Sequence, residues 1–163
     1  MPPLLPPFAE LLEQHRGILA KVAGSYARQR EDREDLMQEM AAQLWRAWPT
    51  YDPARSFSTW MYRIALNVAI SQLRVRMRTP ALAETADGTL ETLADPTVHD
   101  PERGRQLERL YRFIHALPPL ERALMLLYLE ERPQREIADV LGLSETNVAT
   151  KIGRLKARLR NEL

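Results

Sequence analysis

Near the end of the chain, Asn147, Thr150, Lys151, Arg154 and Arg158 follow one another at steps of three, one, three and four, so on a helix they share one face. Val148, Ile152, Leu155 and Leu159 step by four, three and four between them and define the opposite, core-facing side. The chemistry such a face offers is non-covalent. Short polar side chains near a helix N-terminus suit base edges in a major groove, and cations behind them suit phosphates. Just upstream, Pro133 to Leu141 reads as a short helix with Ile137, Ala138 and Leu141 inward, and Gly142-Leu143-Ser144 reads as a tight turn. Glycine tolerates the left-handed conformation that ends a helix, and serine caps the free amides of the next. A solvated amphipathic helix would also carry such charges, but the turn favours a helix-turn-helix that reads DNA. Gly153 inside the last helix is unusual, since glycine costs roughly 0.5–1 kcal/mol there relative to alanine.

Other chemistry is scarce. The chain has no cysteine, which excludes disulfides and thiolate metal sites. His15, His99 and His115 are scattered, and no nucleotide-binding loop, metal-ligand spacing or catalytic triad is present, so neither an enzyme nor a metal or cofactor is expected. The 23 basic and 22 acidic residues nearly balance, but their distribution does not. Residues 1–78 carry 11 basic and 8 acidic side chains, residues 79–101 carry 5 acidic and no basic ones, and residues 102–163 carry 12 and 9.

The elements that must position these groups are helical almost throughout. Leu4, Phe8, Leu11, His15, Ile18 and Val22 trace one face of a first helix, with Pro6 and Pro7 in its first turn. Leu36, Met40 and Leu44 mark a second over Asp32 to Trp48, ended by Pro49. A loop at residues 51–56 precedes a third helix from Phe57 to Met77, whose outer face shows Arg63, Asn67, Arg74 and Arg78. Residues 79–101 mix Pro, Gly, Thr and acids without an apolar stripe and read as a connector. Beyond it, Leu107, Leu110, Ile114 and Leu117 predict one helix, stopped by Pro118-Pro119, and Leu120, Leu124 and Leu127 the next. The expected class is all-α: two small helical domains, 1–78 and 102–163, joined by an acidic linker.

Three segments then carry a resemblance by their order: Glu34-Asp35-Leu36-Met37-Gln38-Glu39, the aromatic cluster Trp45, Trp48 and Tyr51, and Phe57-Ser58-Thr59-Trp60 leading to Arg63-Ile64-Ala65-Leu66-Asn67. With the terminal helix-turn-helix they resemble the sigma-70 superfamily of RNA polymerase sigma factors, in the short extracytoplasmic-function (ECF) group that keeps sigma domains 2 and 4. The resemblance implies that Asp35, Gln38 and Glu39 dock on the clamp coiled coil of core polymerase. It implies that Trp60, Arg63, Asn67, Arg74 and Arg78 recognise and help open the -10 element, with Arg76 also on the backbone and residues 51–56 holding an extruded base. Aromatic stacking, amide hydrogen bonds and phosphate contacts are what an opened strand requires. Core packing is the competing role for Trp60, and helix N-terminal charge the competing role for the acids. Asn147, Thr150, Lys151, Arg154 and Arg158 would read the -35 element. Ser71 stands where the family often has Asp, and Arg154-Leu155-Lys156 where it often has a basic-alanine-basic run, so the promoter sequence is not carried over.

The expected partners are core RNA polymerase, promoter DNA and an anti-sigma protein, since no sensory domain follows the last helix. A cytoplasmic protein without membrane insertion is expected, because no apolar run approaches the ~20 residues that span a bilayer. The competing function is a helix-turn-helix regulator that binds duplex DNA without polymerase; it leaves the first 78 residues unassigned.

Overall fold

The computed structural model describes residues 7–79 and 100–163, and these form eight α-helices and one short 3-10 turn, with no strand among them. The first helix expected from periodicity is two. Helix α1 spans Phe8–Gln14 and α2 spans Arg16–Tyr26. Between them His15 leaves helical geometry (φ −110°, ψ 17°), places its Nδ1 2.9 Å from the Leu11 carbonyl and sets its ring 4.8 Å from that of Phe57. The apolar stripe survives the break, since Phe8, Leu11, Ile18 and Val22 are all buried. Leu4 and Pro6 lie outside the described residues.

Helix α3 (Arg30–Ala47) starts two residues earlier than the apolar pattern suggests, with Glu31 and Asp32 in the first turn, where carboxylates complement the helix dipole. It tightens into a 3-10 turn at Trp48–Thr50 instead of stopping at Pro49, and the Thr50 hydroxyl donates to the Ala47 carbonyl (2.6 Å). Helix α4 (Phe57–Arg78) follows, capped by Ser56. Leu36, Met40 and Leu44 of α3 close with Met61, Tyr62, Ala65 and Leu66 of α4 and Val22 of α2 into the first core. The Arg76–Asp32 ion pair (3.1 Å) ties the far end of α4 to the start of α3.

The second group comprises α5 (Pro101–Ala116), α6 (Pro119–Leu129), α7 (Gln134–Leu141) and α8 (Glu145–Glu162). Asp100 caps α5 by accepting from the Glu102 amide (3.0 Å), so the last two residues of the expected connector belong to this helix. Residues 80–99, the rest of it, lie outside the described residues. Leu117, Leu124, Leu127, Ile137, Val148 and Ile152 fill the second core. Gly142 takes the left-handed conformation (φ 68°), and the Leu143 amide closes on the Ala138 carbonyl at 3.0 Å, the Schellman closure expected of the turn. The two groups also pack on each other, α2 against α5 and α6 and α4 against α6 and α7, so both cores belong to one apolar cluster.

Candidate nucleic-acid interface

Helix α8 is aimed by its N-terminal cap and its buried face. The Ser144 hydroxyl accepts from the Asn147 amide (3.1 Å), and Val148, Ile152 and Leu155 lock the inner face. Asn147, Thr150, Arg154 and Arg158 are thereby exposed, and Lys151 is half-buried. Two members are less free than their exposure suggests. The Thr150 hydroxyl donates back to the Thr146 carbonyl (3.0 Å), and the Arg158 guanidinium lies 5.9 Å from the Phe113 ring centroid, drawn toward α5. Gly153 has nothing within 4 Å of where a Cβ would stand, so packing within the chain does not demand glycine there.

The loop before α4 is equally specified. The Asp52 carboxylate accepts from the Ala54 amide (2.9 Å), the Arg55 amide bonds the Asp52 carbonyl (3.0 Å), and the Tyr51 hydroxyl donates to the Arg55 carbonyl (2.8 Å). Trp48 stacks on Tyr51 with rings 14° apart, and Trp60 leans on Tyr51 and Phe57 with centroids 5.0 and 5.5 Å away. Trp60 is half-buried, its packing met by this aromatic wall while part of it stays open to solvent. Arg63 and Asn67, three and seven residues on, are exposed on the same face. Arg74 and Arg78 are exposed further along, with the Arg78 Nε on the Arg74 carbonyl (3.2 Å). Arg76 is half-buried and already paired with Asp32.

On α3, Asp35 and Gln38 are exposed, whereas Glu39 is half-buried and accepts from Gln43 Nε2 (3.1 Å). Seven residues beyond Gln38 on the same face stands Trp45, 63% exposed. Its exposure could not be read from an aromatic cluster whose other members turn inward.

The chain therefore presents three faces on three helices: acids with a tryptophan on α3, aromatic, amide and arginines on α4, and short polar groups with cations on α8. Residues 11–79 match the Sigma-70 region 2 family and residues 107–159 the Sigma-70, region 4 family. The RNA polymerase sigma factor CnrH of Cupriavidus metallidurans is 30% identical over 160 residues, covering 93% of this chain and 84% of that protein. The chain belongs to the sigma-70 family, in its ECF group. An ECF RNA polymerase sigma-E factor of Haemophilus influenzae is 31% identical over 154 residues, covering 88% and 82%. A third relative, a probable RNA polymerase sigma factor RfaY of Xanthomonas campestris, is 32% identical over 134 residues, and this chain spans only 34% of its length. Among solved structures, CnrH in complex with the cytosolic domain of CnrY superposes with a TM-score of 0.67 at 28% identity, over 94% of this chain and 85% of that one. The sigma factor RpoE of Bartonella quintana, solved with the anti-sigma factor NepR, shares the fold (TM-score 0.76) at 18% identity, over 95% of each chain. In this ECF chain the D-L-x-Q-E and F-x-T-W segments fall within the residues matched by region 2 and the helix-turn-helix within those matched by region 4. Among the described residues no helix is long and apolar enough to cross a membrane.

Proposed function

We propose that this sigma factor brings core RNA polymerase to promoters by three contacts, each on one of the faces above, and that it does no covalent chemistry of its own. Asp35, Gln38 and the exposed Trp45 form the polymerase-docking face of α3. An exposed tryptophan flanked by polar groups is the composition from which protein interfaces draw most of their energy. Residues 7–79 form the domain that docks on polymerase and opens the -10 element, and residues 100–163 the one that reads the -35 element. Trp60 and Asn67 hold bases of the opened strand, and Arg63, Arg74 and Arg78 its phosphates. Asn147, Thr150, Lys151 and Arg154 read the -35 duplex, and Arg158 reaches its backbone after leaving the Phe113 ring. The observation that carries this reading is the pairing, in one chain, of a region 2 face rich in aromatic and amide groups with an exposed region 4 reading helix.

A regulator that binds duplex DNA alone needs only α7 and α8 and gives the α3 and α4 faces nothing to do. The external regulator of this reading is an anti-sigma protein, as in the complexes solved for the two relatives, and its place of work is the cytoplasm. The test is co-elution with core polymerase on size exclusion. The wild-type chain is expected to co-elute, and Trp45→Ala combined with Asp35→Ala to elute free while still binding duplex DNA. A wild-type chain that never co-elutes with core would overturn the reading.

A further inference from the structure

The exposed side chains of α8 do not all offer the same chemistry to a groove. Among the described residues no partner holds the Asn147 side-chain amide or the Arg154 guanidinium, so both keep their polar groups for a ligand. Thr150 differs. Its hydroxyl donates to the Thr146 carbonyl one turn back, at 3.0 Å, although the residue itself is exposed. A threonine hydroxyl has a single hydrogen to give, and here the helix's own backbone takes it. Because Cβ is branched and its substituents occupy separate staggered positions, holding Oγ1 against the preceding turn sets Cγ2 away from that carbonyl. The methyl is the part of Thr150 left to meet a partner.

Its neighbours keep that methyl accessible. Gly153, three residues on and on the same side of the helix, has nothing within 4 Å of where a Cβ would stand, and Ala149 is exposed with only a methyl of its own. Lys151 is half-buried and Arg158 is drawn to the Phe113 ring, so no long side chain is committed to the space beside Thr150. Val148 and Ile152, buried on either side of it in sequence, fix the rotation of the helix and hold position 150 outward. In the major groove of B-DNA adenine, guanine and cytosine present hydrogen-bond donors and acceptors, and thymine alone adds an apolar group, its C5 methyl. A freely turning hydroxyl would serve either a donor or an acceptor and would distinguish bases poorly. A methyl whose hydroxyl is turned away matches one base.

We propose that Thr150 is a specificity-determining residue of the -35 contact, reading a thymine through its Cγ2 methyl while its hydroxyl takes no part in base recognition. The proposal rests on the reading of α8 as the -35 helix and deepens it by assigning one base of the block. Its consequence is a division of labour along the face. Discrimination at this base pair is apolar and holds as salt rises, whereas the phosphate contacts of the cations weaken.

The test uses the full-length chain and a random-sequence duplex pool enriched by repeated binding to it. The most enriched duplex is synthesised with each thymine in turn replaced by uracil, which removes the methyl alone, and affinities are read by fluorescence anisotropy. The wild-type chain is expected to lose about fourfold at one thymine, the worth of one buried methyl. Thr150→Val, which keeps the methyl and the shape but has no hydroxyl, is expected to keep that ratio. Thr150→Ser, which keeps the hydroxyl and has no methyl, is expected to bind the thymine and uracil duplexes equally. Serine, threonine and valine have similar helix propensities, so α8 is retained in both variants. Loss of the ratio in Thr150→Val, its survival in Thr150→Ser, or equal binding of thymine and uracil by the wild-type chain at every position would overturn the proposal. If no sequence is enriched, or Arg154→Ala binds the enriched duplex as tightly as wild type, the reading of α8 itself fails.

Discussion

The two helices proposed to meet DNA differ in how they are held. Helix α8 is fixed by its own domain: a serine cap, a left-handed glycine before it, and three buried aliphatic side chains beneath. The α4 face is bordered by residues nearly eighty positions away, through Thr59 with Glu136 and Ser58 with Arg132. A reading helix that must fit a rigid duplex gains from being preorganised. The difference teaches that one face is fixed by signals close in the chain and the other is bordered by contacts distant in it.

The packing beside α4 breaks first at Arg122, whose guanidinium donates to the His115, Leu117 and Ser25 carbonyls. Arg122→Met should cost about 3 kcal/mol in urea-induced unfolding, since it strands buried carbonyls at two helix ends; a loss below about 0.5 kcal/mol would show that the carbonyls find other partners. Acid should act nearly as strongly. Burial, followed by the repulsion of Arg122, Arg28 and Arg33, lowers His115 to about 4 despite its bond to Gly24, against an ordinary value near 6.5. Between those values the unfolded chain binds a proton that the folded chain refuses. The His115 contribution is therefore whole above pH 6.5 and is lost as pH falls toward 4, by up to about 3 kcal/mol. Unfolding midpoints taken across that range, with His115→Phe as the variant that should flatten the slope, check it.

On the other side of the comparison, Lys151→Ala or Arg154→Ala should weaken duplex -35 binding by about 1–3 kcal/mol if a base contact is lost. An equal loss of single-strand binding would mean that the two faces are not independent. The smallest effect concerns Gly153, which has open space where a Cβ would be. Gly153→Ala should stabilise the chain by about 0.5–1 kcal/mol, measured by thermal melting. If it also weakens duplex binding, the glycine serves a close approach of DNA to the helix backbone.

Much of the α8 side was legible in the sequence because its determinants are local. The Gly142 and Ser144 signals and the four-three-four apolar spacing lie within one stretch of chain, and turn chemistry translates directly into geometry. The break at His15 was not legible, because the apolar stripe continues through it and the ring that holds His15 belongs to Phe57. Nor was the packing of the two groups on each other. Arg122 sits in an apolar run, Pro119 to Leu129, and its partners are main-chain carbonyls as far as 97 residues away, which carry no side-chain signature. Glu136 likewise reads as an ordinary first-turn acid until Thr59 is found against it. Trp45 was visible as an aromatic, but its exposure depends on the inward turn of Trp48 and Phe8 beside it.

The most direct measurement is transcription from a pool of genomic fragments by core RNA polymerase with and without this chain, with the 5′ ends of the transcripts mapped. The account predicts start sites that appear only when the chain is added and that share two short upstream sequence blocks, with Asn67→Ala losing open-complex formation and Arg154→Ala losing duplex affinity. Transcripts that do not depend on the chain, alongside tight binding of the chain alone to duplex DNA, would contradict it.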